Sequence, residues 1–167
     1  MICTPIITTQ ASNLGHILVQ PVTATLTMVS RRRKRVLIAD DDNILLKALS
    51  MKLRNNGYEV ITTLSSVNTI SLARSTRPDL ILLDINFPDD AANPGTACDG
   101  LVIMQWLRSI DETRSTPIII MTGEDPKRYR TQSLAAGAVA FFHKPIRPDE
   151  LLPVIRRALG EDPAGLS

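Results

Sequence analysis

The side chains best able to do chemistry in this chain stand at the ends of apolar runs. Asp40, Asp41 and Asp42 follow VLIA, Asp84 closes DLILLD, Thr122 and Gly123 close TPIIIMTG, and Lys144 with Pro145 closes AVAFFHKP. Like charges about 4 Å apart repel by roughly 4 kcal/mol at an effective dielectric near 20, so carboxylates stacked on a buried run call for a counter-charge. Oxygen donors with no His or Cys among them favour Mg²⁺ or Mn²⁺ over zinc. Magnesium retains several waters and pairs a few carboxylates with phosphate oxygens, which makes phosphoryl chemistry the leading expectation. Carboxylates form aspartyl phosphates, so Asp84 is the candidate nucleophile. Phosphoryl transfer asks for charge neutralisation and positioning. The metal and Lys144 are suited to supply the charge, and the Thr122 hydroxyl a hydrogen bond to a phosphoryl oxygen.

These residues work together only if the chain brings the run ends to one place. RVLIAD is too apolar for a one-sided strand and reads as a strand buried on both faces. NILLKALSMKLRNN carries helical spacing and stops at Gly57. YEVITT reads as a second strand, and SSVNTISLARST as a helix capped by Ser65 or Ser66, with Pro78 after its end. DLILLD (79–84) is a third strand, and DGLVIMQWLRSI (99–110) a helix with Leu101, Met104 and Leu107 on one side. TPIIIMTG (116–123) is a fourth strand, followed by the helix PKRYRTQSLAAG ending at Gly137. AVAFFHKP is a fifth strand. PDELLPVIRRALG is a fifth helix with acids first and arginines last, as the helix dipole favours, and Pro153 inside it is expected to bend it or cost one backbone bond. Alternation of this kind predicts an α/β fold: a doubly wound, flavodoxin-like sheet of five parallel strands in the order 2-1-3-4-5, in three α/β/α layers. In such a sheet ligands bind outside the carboxyl ends of the strands, which is where the acids, the hydroxyl and the amine fall.

Length and composition set the frame. At 167 residues, 44% hydrophobic and 22% charged, the chain has room for one domain with a real core. Nineteen Lys and Arg against seventeen Asp and Glu leave a formal net charge of +2, so no global field points to nucleic acid. Two cysteines, Cys3 and Cys98, are too few for a disulfide framework, and no apolar run approaches the ~20 residues of a membrane span. The expectation is a cytoplasmic protein. Residues 1–30 hold no Lys, Arg, Asp or Glu and are rich in Thr; with RRRKR at 31–35 they read as an extension, disordered or loosely docked, whose basic end is a solvated flank. The domain boundaries expected are 1–34 for the extension and its basic cluster, 35–160 for the folded domain and 161–167 for a short tail. The segment NFPDDAANPGTACDG, between the third strand and third helix, is long for its place and reads as irregular.

With these residues in place, the chain from about Arg35 to Leu159 resembles the receiver domain of two-component response regulators, of the chemotaxis-regulator kind. The matching pieces are ADDD, DLILLDINFP, IIIMTG, GAVAFFHKPI and DELLPVIRRAL. The resemblance implies that Asp84 is the phosphoacceptor, that Asp41 binds Mg²⁺ directly and Asp40 mostly through water, and that Asp84 and the backbone carbonyl of Asn86 complete the metal's ligands. Thr122 and Lys144 match the family's switch hydroxyl and phosphate-contacting lysine. Phe141 falls at the switch aromatic and lacks a hydroxyl, so switching there must work by packing. Asn86 and Glu124 fall at the positions that tune phosphoryl lifetime, and a polar and acidic pair there implies short-lived phosphorylation. The implied donor is the phosphohistidine of a sensor histidine kinase. The implied response is a repacking of the face made by the fourth helix, fifth strand and fifth helix, read by a downstream protein; the family pattern also leaves room for a phosphorylation-dependent homodimer. No nucleic acid or membrane partner is expected.

Residues 89–98 depart from the family pattern as an insertion, read either as a partner-specificity element carrying a spare thiol at Cys98 or as a tolerated surface loop. Only EDPAGLS follows the last helix, so output is expected through a protein partner, or by passing the phosphoryl group onward to a histidine phosphotransfer domain as a relay intermediate. Two other readings stay open. ADDDNI fits the nucleophile motif of haloacid dehalogenase-like phosphatases, with Asp40 as nucleophile and Asp42 as acid, but Asp149 and Glu150 open a helix where that family needs an acidic pair on a strand. The fold could also serve as a phosphate-independent interaction module.

Overall fold

The apolar runs become adjacent strands because each is buried from both sides. The computed structural model describes residues 32–87 and 98–161. Its elements are β1 (Arg35–Ala39), α1 (Asn43–Asn55), β2 (Glu59–Thr63), α2 (Ser66–Thr76), β3 (Leu80–Asp84), β4 (Asn86–Phe87), β5 (Cys98–Asp99), α3 (Gly100–Ser109), β6 (Ile118–Thr122), α4 (Pro126–Ala135), β7 (Ala140–His143) and α5 (Pro148–Ala158). The main sheet is parallel throughout, in the order β2-β1-β3-β6-β7. Counting its strands alone, this is the expected 2-1-3-4-5.

Side-chain alternation divides the core in two. Val36, Ile38, Leu80, Leu82, Ile119 and Met121 face Leu46, Leu49 and Leu53 of α1 and Leu151, Leu152 and Ile155 of α5. Leu37, Ala39, Ile81, Leu83, Ile118 and Ile120 face Ala73 of α2 and Ile103, Met104 and Leu107 of α3, with Tyr129 and Ala136 of the α4 region packed alongside. Period-two alternation of strand side chains is what lets one continuous apolar run feed both layers. Each fully buried Leu or Ile contributes about 1.5–3 kcal/mol relative to exposure, and every residue of β3 and β6 is buried. The edge strands β2 and β7 are less buried, which accounts for their more mixed sequences.

Helix ends follow local chemistry. Asp42 caps α1, its carboxylate accepting from Ile44 N at 2.8 Å and Leu45 N at 3.1 Å. Ser65 caps α2 and Asp125 caps α4. Gly57 (φ 89°) and Gly137 (φ 97°) take left-handed backbone after α1 and α4, where a side chain would be strained. α5 runs through Pro153, which lacks the N–H for one intrahelical bond.

Two expectations are corrected. The long segment before α3 is not irregular at its ends: Asn86 pairs with Asp99 and Phe87 with Cys98 in an antiparallel stem. Phe87 is 3% exposed, and its burial fixes a pairing too short to show periodicity in sequence. The basic cluster is also more than a solvated flank. Arg32 and Lys34 converge on Asp79 Oδ1, at 3.0 and 3.3 Å, while Asp79 Oδ2 accepts from Arg35 N at 2.8 Å. Arg35 grips Glu59 through two bonds, of 3.0 and 3.1 Å, and donates to Thr76 O. The expectations for residues 1–31, for the inserted loop as far as residue 97, for the thiol of Cys98 and for 162–167 fall outside what the structure describes.

Candidate functional site

The strand order converts sequence-distant residues into neighbours. β1 lies beside β3, so Asp40, just past β1, stands next to Asp84 at the end of β3. β6 and β7 follow, bringing Thr122 and Lys144 to the same rim. Asp40 is fully buried and Asp84 is 3% exposed. Lys144 Nζ lies 2.6 Å from Asp84 Oδ2, 2.8 Å from Asp40 Oδ2 and 3.0 Å from Asp40 Oδ1. Asp40 Oδ1 also accepts from Asp42 N at 2.9 Å, and Asp84 Oδ1 from Asn86 N at 3.3 Å. Asp40 Oδ2 is buried and, although the ammonium is near, makes no hydrogen bond among the described residues. The charge contact there runs off the hydrogen-bonding direction.

Asp40, Asp41 and Asp84 each offer a carboxylate oxygen, all within 4.8 Å of one another, and Asp41 is exposed. The donor set is all oxygen, and one buried oxygen in it wants a hydrogen-bond or metal partner. These residues fit a hard divalent cation. Burial raises the Asp40 and Asp84 carboxyls above the usual carboxylate range, with the Lys144 hydrogen bonds pulling the other way. Burial alone would lower Lys144, but its bonds to Asp40 and Asp84 outweigh that and raise it. With Asp41 included, three carboxylates face one ammonium, so the cluster has room for added positive charge.

Thr122 is fully buried; its Oγ1 accepts from Glu124 N at 3.1 Å and its carbonyl from Lys144 N at 2.7 Å. Among the described residues its hydroxyl makes no bond as donor. Asn86 Nδ2 donates to Glu124 Oε1 at 3.0 Å, joining the loops after β3 and β6 across the rim. Phe141 pairs in register with Ile120 and is half-buried against the second core cluster. With Arg130, Leu134, Val139, Phe142 and Val154 it lines a groove of about 440 Å³ on the face of α4, β7 and α5. A larger groove, about 560 Å³ between α1 and β2, contains neither an acid nor Lys144, so size does not mark the site.

The structure thus brings together Asp40, Asp41, Asp84 and Lys144, joins Asn86 to Glu124, and leaves Phe141 on the neighbouring face. Two features escaped sequence reading. Asp42 is used up as a helix cap, and Gly100 lies against the backbone of Asp84, where a β-carbon would come within 2.2 Å of the Asp84 carbonyl oxygen. The Asp99-Gly100 pair was visible, but only as a helix start.

Residues 36–156 match the response regulator receiver domain family. The chain is 32% identical over 128 residues to the polar-differentiation response regulator DivK of Brucella anthropi, an alignment spanning 77% of this chain and 98% of that protein. Among solved structures, a CheY-like receiver domain protein from Methanospirillum hungatei superposes with a TM-score of 0.68 at 28% identity, over 78% of this chain and 96% of that one. The receiver domain of the sensor histidine kinase PA1611 from Pseudomonas aeruginosa, described with a magnesium ion coordinated in its active site cleft, superposes with a TM-score of 0.66 at 25% identity, over 77% of this chain and 99% of that one.

Proposed function

This chain belongs to the response regulator receiver family, and we propose that it accepts a phosphoryl group on Asp84 from the phosphohistidine of a sensor histidine kinase, in the cytoplasm, to signal to a downstream protein or to pass the group onward to a histidine phosphotransfer domain. The observation that carries the reading is the Lys144 ammonium held between Asp84 and Asp40 on the rim of adjoining strands. A carboxylate oxygen of Asp84 forms the new P–O bond as the P–N bond to the donor imidazole breaks, and the imidazole takes up a proton as it leaves. Asp40, Asp41, Asp84 and the Asn86 carbonyl would hold Mg²⁺ or Mn²⁺. When bound, the ion supplies positive charge to the phosphoryl oxygens. Lys144 then exchanges its contact with the Asp84 carboxylate for one with a phosphoryl oxygen.

Thr122 has a hydroxyl proton that no described residue takes, free to be donated to the phosphoryl group, and moving it disturbs the β6 end that Lys144 N also holds. Phe141 and the groove of α4, β7 and α5 would carry that change to a downstream protein partner. Asn86 and Glu124 would set the phosphoryl lifetime. The domain assignment proposed is 35–160 for the receiver, with 1–34 as an extension and 161–167 as a tail.

A phosphatase reading with Asp42 as acid is disfavoured by the use of the Asp42 carboxylate as the cap of α1, and by Asp149 and Glu150 opening α5. The test is intact mass after incubation with Mg²⁺ and acetyl phosphate. One added phosphoryl group, absent with EDTA and absent in Asp84→Asn, is the expected result. No adduct despite Mg²⁺ binding would leave a phosphate-independent interaction module.

A further inference from the structure

The turn that carries Asp84 rests on the first residue of α3. Gly100 N donates to Ile85 O at 2.7 Å. A β-carbon on Gly100 would lie 2.2 Å from Asp84 O, 2.7 Å from Ile85 Cα and 3.0 Å from Asp84 C. All three are main-chain atoms, so no rotamer change relieves the overlap. Beside this contact, Asn86 pairs with Asp99, Phe87 is buried in the core, and the Asp99 carboxylate accepts from Leu101 N at 2.8 Å. Residues 84–87 are therefore held by β3 on one side and by the start of α3 on the other. The other described glycines differ: Gly57, Gly123 and Gly160 have open space where a β-carbon would go, and Gly137 meets only a side-chain atom of Arg108 at 3.5 Å.

We infer that Gly100 is a positioning residue for Asp84: its bare α-carbon lets α3 lie against the Asp84–Ile85 peptide, and this contact fixes where the Asp84 carboxylate stands relative to Lys144 and Asp40. The inference rests on the reading of Asp84 as phosphoacceptor. Non-bonded carbon contacts settle near 3.5–4.0 Å, so a methyl group at position 100 displaces that peptide by roughly 1 Å. The Lys144–Asp84 contact of 2.6 Å has little slack for such a shift. A misplacement of about 1 Å costs on the order of 10²-fold in rate when reacting groups must be aligned.

The experiment compares full-length wild type, Asp84→Asn, Gly100→Ala, Asp99→Ala and Gly57→Ala. It measures the rate of phosphorylation at saturating Mg²⁺ and acetyl phosphate, together with Tm. Gly57→Ala is the stability control, since φ there is 89° and no atom of the described residues lies within 4 Å of an added β-carbon. The inference predicts that Gly100→Ala is slowed roughly 10²-fold while Gly57→Ala, although less stable, keeps the wild-type rate. A folded Gly100→Ala that phosphorylates at the wild-type rate overturns it. Should Gly100→Ala fail to fold, Asp99→Ala decides, because Asp99 is exposed and its loss loosens the same turn without a clash. A several-fold slowing there supports the inference, and an unchanged rate overturns it. If Asp84→Asn still gains a phosphoryl group, or wild type gains none, the phosphoacceptor reading itself has failed and the inference falls with it.

Discussion

Lys144 Nζ stands 2.6 Å from Asp84 Oδ2, reaching from the edge of the sheet past β6 to the end of β3. The contact holds a buried carboxylate that has no other cation beside it among the described residues. The two partners nevertheless contribute to folding with opposite signs. Burial keeps Asp84 above the usual carboxylate range even with Lys144 attached, so the folded state binds its proton more tightly than the unfolded state does. The stabilisation linked to a raised carboxyl is full at low pH and declines as pH rises from the unfolded value, near ~3.9, through the folded one.

Asp84→Asn should therefore be more stable than wild type at neutral pH without metal, with the advantage shrinking as pH falls toward ~3.9. Lys144→Met should go the other way, losing about 3 kcal/mol by stranding two buried carboxylates. Added Mg²⁺ should raise the Tm of wild type and leave that of Asp84→Asn nearly unmoved. Thermal unfolding from pH 4 to 7, with and without Mg²⁺, reads all of this. Equal destabilisation by both substitutions would contradict the account.

Away from the site, Asp79 anchors the chain's entry into β1. Burial would raise its carboxyl, but the Arg35 N–H, Lys34 and Arg32 outweigh that and hold it below the usual range. A depressed carboxyl stabilises above its unfolded pKa, and the contribution is lost as pH falls through the folded value. Asp79→Ala should cost about 2 kcal/mol at neutral pH, and the difference from wild type should close below pH ~3.9. Urea unfolding at several pH values checks this; a cost independent of pH would show that the ion pairs contribute little.

The hydrogen bond from Asn86 to Glu124 carries the kinetic expectation. An acidic and a polar side chain at the mouth of the site can order a water beside the acyl phosphate, so the phosphorylated protein should be short-lived. Glu124→Ala should lengthen the lifetime several-fold, while Glu124→Gln, which keeps an acceptor for Asn86, should change it less. Loss of the mass adduct with time measures both. Hours-long decay in the wild type would sink the idea.

Much of this was legible in the sequence because the relevant signals are local. Continuous apolar runs such as LILLD and IIIMT announce strands buried on both faces, and the residue ending each run is placed by the sheet order alone. Ser65 and Gly57 marked helix ends for reasons confined to a few residues. What sequence could not reveal depended on contacts between distant segments. The Asn86–Asp99 stem is too short for periodicity, and the closeness of Gly100 to Asp84 exists only once α3 has docked. Asp79 merely opens the run DLILLD in sequence, and only the folded sheet places Arg32, Lys34 and Arg35 around it. Asp42 stood outside the implied metal set, and only the fold shows its carboxylate turned to cap α1.

The most direct measurement is the location of the phosphoryl group. After phosphorylation in Mg²⁺, borohydride reduction converts an aspartyl phosphate to homoserine, and peptide mass spectrometry finds the converted residue. The account predicts homoserine at position 84 and nowhere else. Conversion at Asp40 or Asp41, with Asp84 untouched, would contradict it.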